Sequence, residues 1–208
     1  MARYGMAIDL NRCFGCQTCA AACKIANNLP KELVYNRVLT NEGESKIDCA
    51  QGSYPNNVKL EFRPIGCQHC DNPACLAVCP TGATQKREDG IVWVDSELCI
   101  GCDSCIAACP YEGVRTHLSS DPGYYLDVVV GEYDAPKHIG GTVEKCNFCF
   151  NLIDRGEVPA CMQLCPGRAR YWGDLDDPES DISKAIEGRV VEKLHEEAGT
   201  SPNVYYLR

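Results

Sequence analysis

The chain has 208 residues, with 29 Asp and Glu against 20 Lys and Arg, a formal charge of −9 and only 8% aromatic residues. That length supports one or two compact domains, and the lack of any basic stripe argues against nucleic acid as a partner. No apolar run approaches the ~18 residues that cross a bilayer and residues 1–9 hold no apolar signal region, so the chain reads as soluble or peripheral, with no membrane span of its own.

In chain order, residues 4–9 alternate loosely and read as a short strand that delivers Cys13. Cys13, Cys16, Cys19 and Cys23 follow as C-x2-C-x2-C-x3-C, and the Ala-rich stretch Gln17–Asn27 reads as a helix carrying Cys19 and Cys23. Its small side chains let it lie close to whatever the thiols hold, and Asn27-Asn28-Leu29-Pro30 ends it. Residues 31–57 read as a polar surface excursion with one strand near Tyr35–Leu39, and Cys49 within it as a bystander. Val58, Leu60 and Phe62 alternate as a strand leading through Pro64 to the second run, Cys67, Cys70, Cys75 and Cys79-Pro80, with a short helix over Pro73–Cys79. Asp89-Gly90 marks a turn, Ile91–Val94 a strand, and Cys99, Cys102, Cys105 and Cys109-Pro110 the third run, with its helix over Asp103–Cys109. Residues 118–142 read as an insertion loop or hairpin. Cys146, Cys149, Cys161 and Cys165-Pro166 form the fourth run. In the tail, Glu179–Glu187 reads as a short helix, and Val190-Val191 and Val204–Leu207 as two strands that pair.

Sixteen of the 17 cysteines thus fall into four sets of four. The spacing C-x2-C-x2-C-x3-C-P holds [4Fe–4S] clusters in bacterial ferredoxins. An odd cysteine total and a repeated C-x2-C argue against a disulfide framework, and structural zinc takes two separated pairs rather than four closely packed thiols with a proline behind them. The sixteen therefore read as iron ligands for four [4Fe–4S] clusters. In such runs the fourth cysteine ligates the other cluster of a pair. This gives the sets Cys13, Cys16, Cys19 with Cys165; Cys146, Cys149, Cys161 with Cys23; Cys67, Cys70, Cys75 with Cys109; and Cys99, Cys102, Cys105 with Cys79. Strand, cluster loop, helix and turn recur, so the fold class is α+β: two bacterial-ferredoxin-like units, one inserted in the other, with extra strands and loops. The outer unit is 1–57 plus 143–208, the inserted unit is 58–117, and 118–142 joins them.

His69 lies inside Cys67-Gln-His-Cys70, but a Rieske-type site replaces two cysteines by two histidines and no cysteine is missing, so it reads as a neighbour of the site or an exposed residue. His117, His138 and His195 have no ligand spacing. Lys24, Lys86, Arg87 and Lys145, close to the runs, read as ordinary solvated charges rather than tuners of cluster potential. No nucleophile with a base partner, phosphate cradle or GxGxxG is present. This pattern predicts a chain that carries electrons and leaves chemistry to another subunit.

The four-run arrangement, with Cys67-Gln-His-Cys70-Asp-Asn-Pro-Ala-Cys75, Cys79-Pro-Thr-Gly-Ala83 and Lys86-Arg-Glu-Asp-Gly90, resembles the iron–sulfur subunit of the dimethyl sulfoxide reductase family. Arg3–Leu10, Glu61-Phe-Arg-Pro64 and Gly173-Asp-Leu-Asp-Asp-Pro178 are similar to its polysulfide and arsenate branch, as are Glu197-Ala-Gly-Thr200 and Val204-Tyr-Tyr-Leu207. The resemblance implies a wire of four [4Fe–4S] clusters between a molybdenum or tungsten pterin catalytic subunit and a membrane anchor that handles quinone. It also implies a membrane-associated complex, extracytoplasmic by co-export with the catalytic subunit, with a cytoplasmic placement as the alternative. A free-standing polyferredoxin, or the small subunit of a soluble pterin enzyme such as an aromatic dehydroxylase, are the competing readings.

Overall fold

The computed structural model describes residues 2–40 and 52–208; Cys49 lies outside them. The first half holds β1 (Tyr4–Asp9), α1 (Thr18–Ala26), β2 (Asn36–Thr40), β3 (Phe62–Gly66), α2 (Ala74–Ala77), β4 (Thr84–Lys86) and β5 (Val92–Val94). The second holds α3 (Ser104–Ala107), β6 (Arg115–His117), β7 (Val143–Lys145), α4 (Phe150–Asp154), α5 (Ala160–Gln163), β8 (Arg170–Asp174), α6 (Asp181–Ile186), β9 (Val191–Glu192) and β10 (Val204–Leu207).

One mixed sheet, in the order β8-β1-β10-β9, ties the two ends of the chain together. β1 runs parallel to β10, with Met6 opposite Val204, and antiparallel to β8, with Met6 opposite Trp172. Alternate strand residues face opposite sides. Met6 and Ile8 accordingly join Trp172, Tyr206 and Phe148 in one core, while Ala7 and Leu207 pack on Ile182 of α6 across the other face. Full burial of Ile182 and Leu207 contributes roughly 1.5–3 kcal/mol each. Ser180 starts α6 by accepting the Ser183 N–H on its hydroxyl at 3.2 Å.

The strand expected from Val58, Leu60 and Phe62 begins only at Phe62. Val58 and Leu60 are exposed, so their alternation has no core face to fill. The remaining strands are two-stranded ladders: β2 with β3, β4 with β5, and β6 with β7. The first joins residues 36–40 to 62–66 and the last joins 115–117 to 143–145. Hydrogen-bonded ladders therefore stitch the stretch 58–117 to the chain on both sides of it.

The cluster loops share one backbone device. In the first C-x2-C pair of each run the residue before the second cysteine is left-handed: Gly15 (φ 72°), His69 (42°), Gly101 (63°) and Phe148 (56°). That conformation is uncommon for residues other than glycine. The two that lack glycine stack ring on ring, with the His69 and Phe148 centroids 3.5 Å apart and the planes at 11°. At Gly101 a Cβ would lie 2.2 Å from the Gly141 carbonyl oxygen, so both conformation and space require glycine.

Residues 119–142 form no helix or strand. Their backbone turns instead to the end of α1, where Glu132 N–H donates to the Ala26 carbonyl at 3.0 Å and Val130 N–H to Asn28 Oδ1 at 3.2 Å. His138 clamps the segment: Nδ1 lies 3.1 Å from Glu144 and Nε2 lies 2.8 Å from the Asn27 carbonyl. Burial works against its charge, but the Glu144 carboxylate and the Asn27 carbonyl outweigh burial and raise its pKa above the ordinary imidazole value. Both neighbours accept, so both ring nitrogens donate.

Two outcomes are expected. Gly101→Ala destabilises the protein by more than Gly82→Ala, which shares a positive φ of 70° but has nothing within 4 Å of a new Cβ. Strain alone costs on the order of 1–3 kcal/mol, and thermal unfolding of the two variants separates the steric part; equal losses would contradict it. The clamp has a raised pKa, so its stabilisation is complete below pH ~6.5 and is lost as pH rises through the folded value. Hydrogen exchange across 124–138 should therefore accelerate as pH rises above ~6.5 beyond the intrinsic rise, and a His138→Gln variant should lose that extra pH dependence.

Candidate metal centres

In the first and third runs the second and third cysteines flank the start of one helix; Cys23 lies within α1, Cys79 and Cys109 lie just beyond α2 and α3, and the fourth run spans two helices, with Cys149 before α4 and Cys161 in α5. The first void in the protein is lined by Cys13, Cys16, Cys19 and Cys165, with Phe14 and Arg170 beside them. A second is lined by Cys23, Cys146, Cys149 and Cys161, and Cys67 reaches its wall. A third is lined by Cys67, Cys70, Cys75 and Cys109, with Tyr111 and Arg115. Of the remaining four cysteines, Cys79 acts by its charge on Cys102, and Cys99 packs with Cys105. Among the described residues no three His, Cys, Asp or Glu side chains are grouped as one metal ion would need; the thiols ring spaces instead.

Backbone donors point at four of the sulfurs. The N–H groups of Thr84, Val143, Phe148 and Ala169 each lie 3.4 Å from Sγ of Cys79, Cys99, Cys146 and Cys165 respectively. The buried Asn27 amide donates at 3.6 Å to both Cys23 and Cys149. Such donors strengthen when the sulfur is a thiolate. In the cluster-free chain burial pushes the thiols of Cys109 and Cys161 each up to about 11, and that of Cys23 well above its ordinary value. Among the described residues two thiols are exposed, Cys16 and Cys102. The Ser104 hydroxyl lowers the pKa of Cys102, and the Thr18 hydroxyl outweighs residual burial to lower that of Cys16. Ligation requires deprotonation, so the buried sulfurs depend on positive charge nearby.

That charge is present, and much of it escaped the sequence reading. Lys145 is buried, not solvated, with Nζ donating to the Val92 carbonyl and, at 2.8 Å, to that of Cys146. Lys24 is likewise held by three carbonyls, of Pro30, Lys31 and Leu33, at 2.7, 2.9 and 3.0 Å. Lys86 bonds Asp71, and Arg87 pairs with Asp89 and Asp154. Arg115 and Arg170 are buried among the cysteines. Their only sequence signal is position: each opens the strand that follows a Cys-Pro, β6 or β8. His69 is buried, not exposed; its Nδ1 accepts the Val92 N–H at 3.1 Å, and burial first, then the charges of Lys145 and Arg115, hold it neutral.

The donor set and its voids suit the iron–sulfur clusters expected from the spacing, and comparison with known proteins agrees. Models of a 4Fe-4S dicluster domain match residues 58–122 and 91–166, and a 4Fe-4S binding domain matches 10–35. A Halobacterium salinarum protein assigned as the iron–sulfur subunit of a dimethyl sulfoxide reductase is 42% identical over 100% of this chain and 79% of its own length. A selenate reductase subunit of Mesobacillus selenatarsenatis is 41% identical over 97% of this chain and 70% of its own. The arsenate respiratory reductase iron–sulfur subunit of a Shewanella species is 36% identical over 99% and 96%. A ferredoxin-like fold of mixed helix and strand, four groups of cysteines for four [4Fe–4S] clusters, and relatives of this identity together lead to one conclusion: the chain belongs to the iron–sulfur electron-transfer subunits of the dimethyl sulfoxide reductase family.

Proposed function

We propose that the sixteen cysteines hold their clusters in the four crossed sets named from the spacing, and that these sets form one line through the molecule. The observation that carries this reading is that three voids are each lined by the four cysteines of one set, including the cysteine contributed from a distant run. When bound, the clusters supply one-electron transfer at potentials set by charge, hydrogen bonds and burial.

The order follows from shared walls. Arg170 borders both the first and second voids, Cys67 lines both the second and third, and Arg115 lies against Cys105 of the fourth set as well as the third void. The line therefore runs from the set of Cys13, through those of Cys23 and Cys67, to that of Cys79. The exposed thiols Cys16 and Cys102 belong to its two end sets, with exposed Phe14 and Leu164 near one and Leu98 and Ile100 near the other. These ends are where electrons enter and leave. On this reading the outer unit, 1–57 plus 143–208, holds two sites and the inserted unit, 58–117, holds the other two.

The relatives' names describe subunits of reductases. By that kinship the partners are a molybdenum or tungsten pterin catalytic subunit and a membrane subunit that handles quinone. Among the described residues no helix is long and apolar enough to cross a membrane, which suits a peripheral subunit exported with its catalytic partner.

Two measurements test this. The anaerobically isolated complex should show molybdenum or tungsten co-eluting with about sixteen irons per copy of the chain, four for each cubane; iron without either metal would favour a free polyferredoxin. Cys23→Ala and Cys149→Ala should erase the same paramagnetic signal of the reduced protein, and Cys19→Ala a different one. Loss of one signal in both Cys19→Ala and Cys23→Ala would overturn the crossed sets. Cys49→Ser should leave the iron content unchanged.

A further inference from the structure

We propose that Arg115 and Arg170 are shared counter-cations, each lodged between the two cluster sites of one pair and setting the reduction potentials of both. The proposal rests on the four-set reading above and goes beyond it in naming two residues that ligate nothing.

Both guanidiniums are buried, at 5% and 7% exposure, and among the described residues neither has a carboxylate partner. Arginine does not shed its proton inside proteins, and burying a charge without a counter-charge is strongly unfavourable. Nη1 and Nη2 of Arg115 find no oxygen acceptor. The negative groups that surround it are the cysteines: Cys75, Cys67 and Cys109 of one set and Cys105 of the next. Arg170 is placed in the same way. Its Nη1 lies 3.7 Å from Cys161 Sγ and 3.0 Å from Met6 Sδ, and its Nη2 donates to Asn36 at 3.0 Å. The charge of Cys19, from the other set of that pair, also acts on it.

The two residues occupy matching places. Each is the first residue of the strand after a Cys-Pro, with Arg115 following Cys109 and Arg170 following Cys165. Lys145 differs, because two carbonyl oxygens satisfy its ammonium. A fixed cation beside two sites favours the added electron on either one, so it raises both potentials together. Removing it affects a pair, not a single site, and leaves the other pair unchanged.

The test is a mediated redox titration of the purified complex, with dithionite as the electron donor, followed by electron paramagnetic resonance and by iron content. In Arg115→Gln the two clusters of the Cys67 and Cys79 sets should each become at least tenfold harder to reduce, which is about 59 mV for one electron. The other two should not move. Arg170→Gln should show the reverse pattern, and Arg→Lys at either position, which keeps the charge, should remain nearer the parent than Gln does. Full iron with unmoved potentials in the Gln variants would overturn the proposal, as would equal shifts with Lys and Gln. If a Gln variant fails to retain its clusters, the Lys variant decides: retention there supports a need for charge, and equal loss shows that shape alone matters. A parent protein without about sixteen irons would refute the underlying four-set reading instead.

Discussion

Mutual repulsion among closely set cysteine sulfurs, once deprotonated, is the constraint to which the rest of this structure responds. Ligating cysteines are deprotonated, and two unit charges ~4 Å apart repel by about 4 kcal/mol at an effective dielectric near 20. A hydrogen bond to a charged group returns about 1.5–3 kcal/mol. The four N–H donors at 3.4 Å from cysteine sulfur are therefore too weak to balance the sets alone. Bound iron would supply most of the missing positive charge, with protein cations supplying a further part where the sets crowd together. This explains why an acidic chain of net charge −9 keeps Arg115, Lys145 and Arg170 in its interior, where basic residues are otherwise rare.

The loops meet the same constraint locally. A left-handed residue before the second cysteine bends the chain sharply, and the four runs reach it by different means. Gly15 and Gly101 adopt it without steric cost. His69 and Phe148 adopt it under strain of ~1–3 kcal/mol each, offset by packing against each other at 3.5 Å. These two residues come from different runs, and Phe148 lines the second void, which Cys67 also borders. The strained loops thus brace the middle of the molecule, and the glycine loops carry the exposed thiols Cys16 and Cys102.

The sequence made the spacing chemistry legible because iron–sulfur ligation needs thiols at fixed intervals. The helices followed from the same runs: α1 spans Thr18–Ala26 within the stretch expected to be helical. The pairing of Val191 with Leu207 was also readable from two apolar ends. What local pattern could not carry is long-range placement. Val58 and Leu60 alternate like strand residues yet face solvent, since alternation says nothing of what lies opposite. The parallel pairing of β1 with β10 joins residues almost 200 positions apart, beyond any periodicity. Lys145 and Arg170 look like surface residues in composition, and only the fold turns them inward. Residues 119–142 held turn and apolar signals together; one of their backbone donors, Glu132 N–H, goes to α1, while Gly141 N–H returns to the Leu118 and Ser119 carbonyls beside the β6–β7 ladder.

The buried cations also bear on how the line of sites is divided. On the proposed sets, Arg170 lies between the first and second and Arg115 between the third and fourth. Lys145 lies between the middle two, donating to the carbonyls of Cys146, in the second set, and Val92, on the third void. Anionic sites and cations therefore alternate along the proposed path. The arginines contact the voids with groups that have no oxygen acceptor, or only one, so their field is directed at sulfur. Lys145 spends its donors on carbonyls, and its field is partly quenched by their dipoles. Neutral His69, stacked on Phe148, fills the space beside it. The junction between the proposed pairs thus differs from them in how its cation is satisfied: carbonyl oxygens take the Lys145 donors, while the arginines keep donors for sulfur.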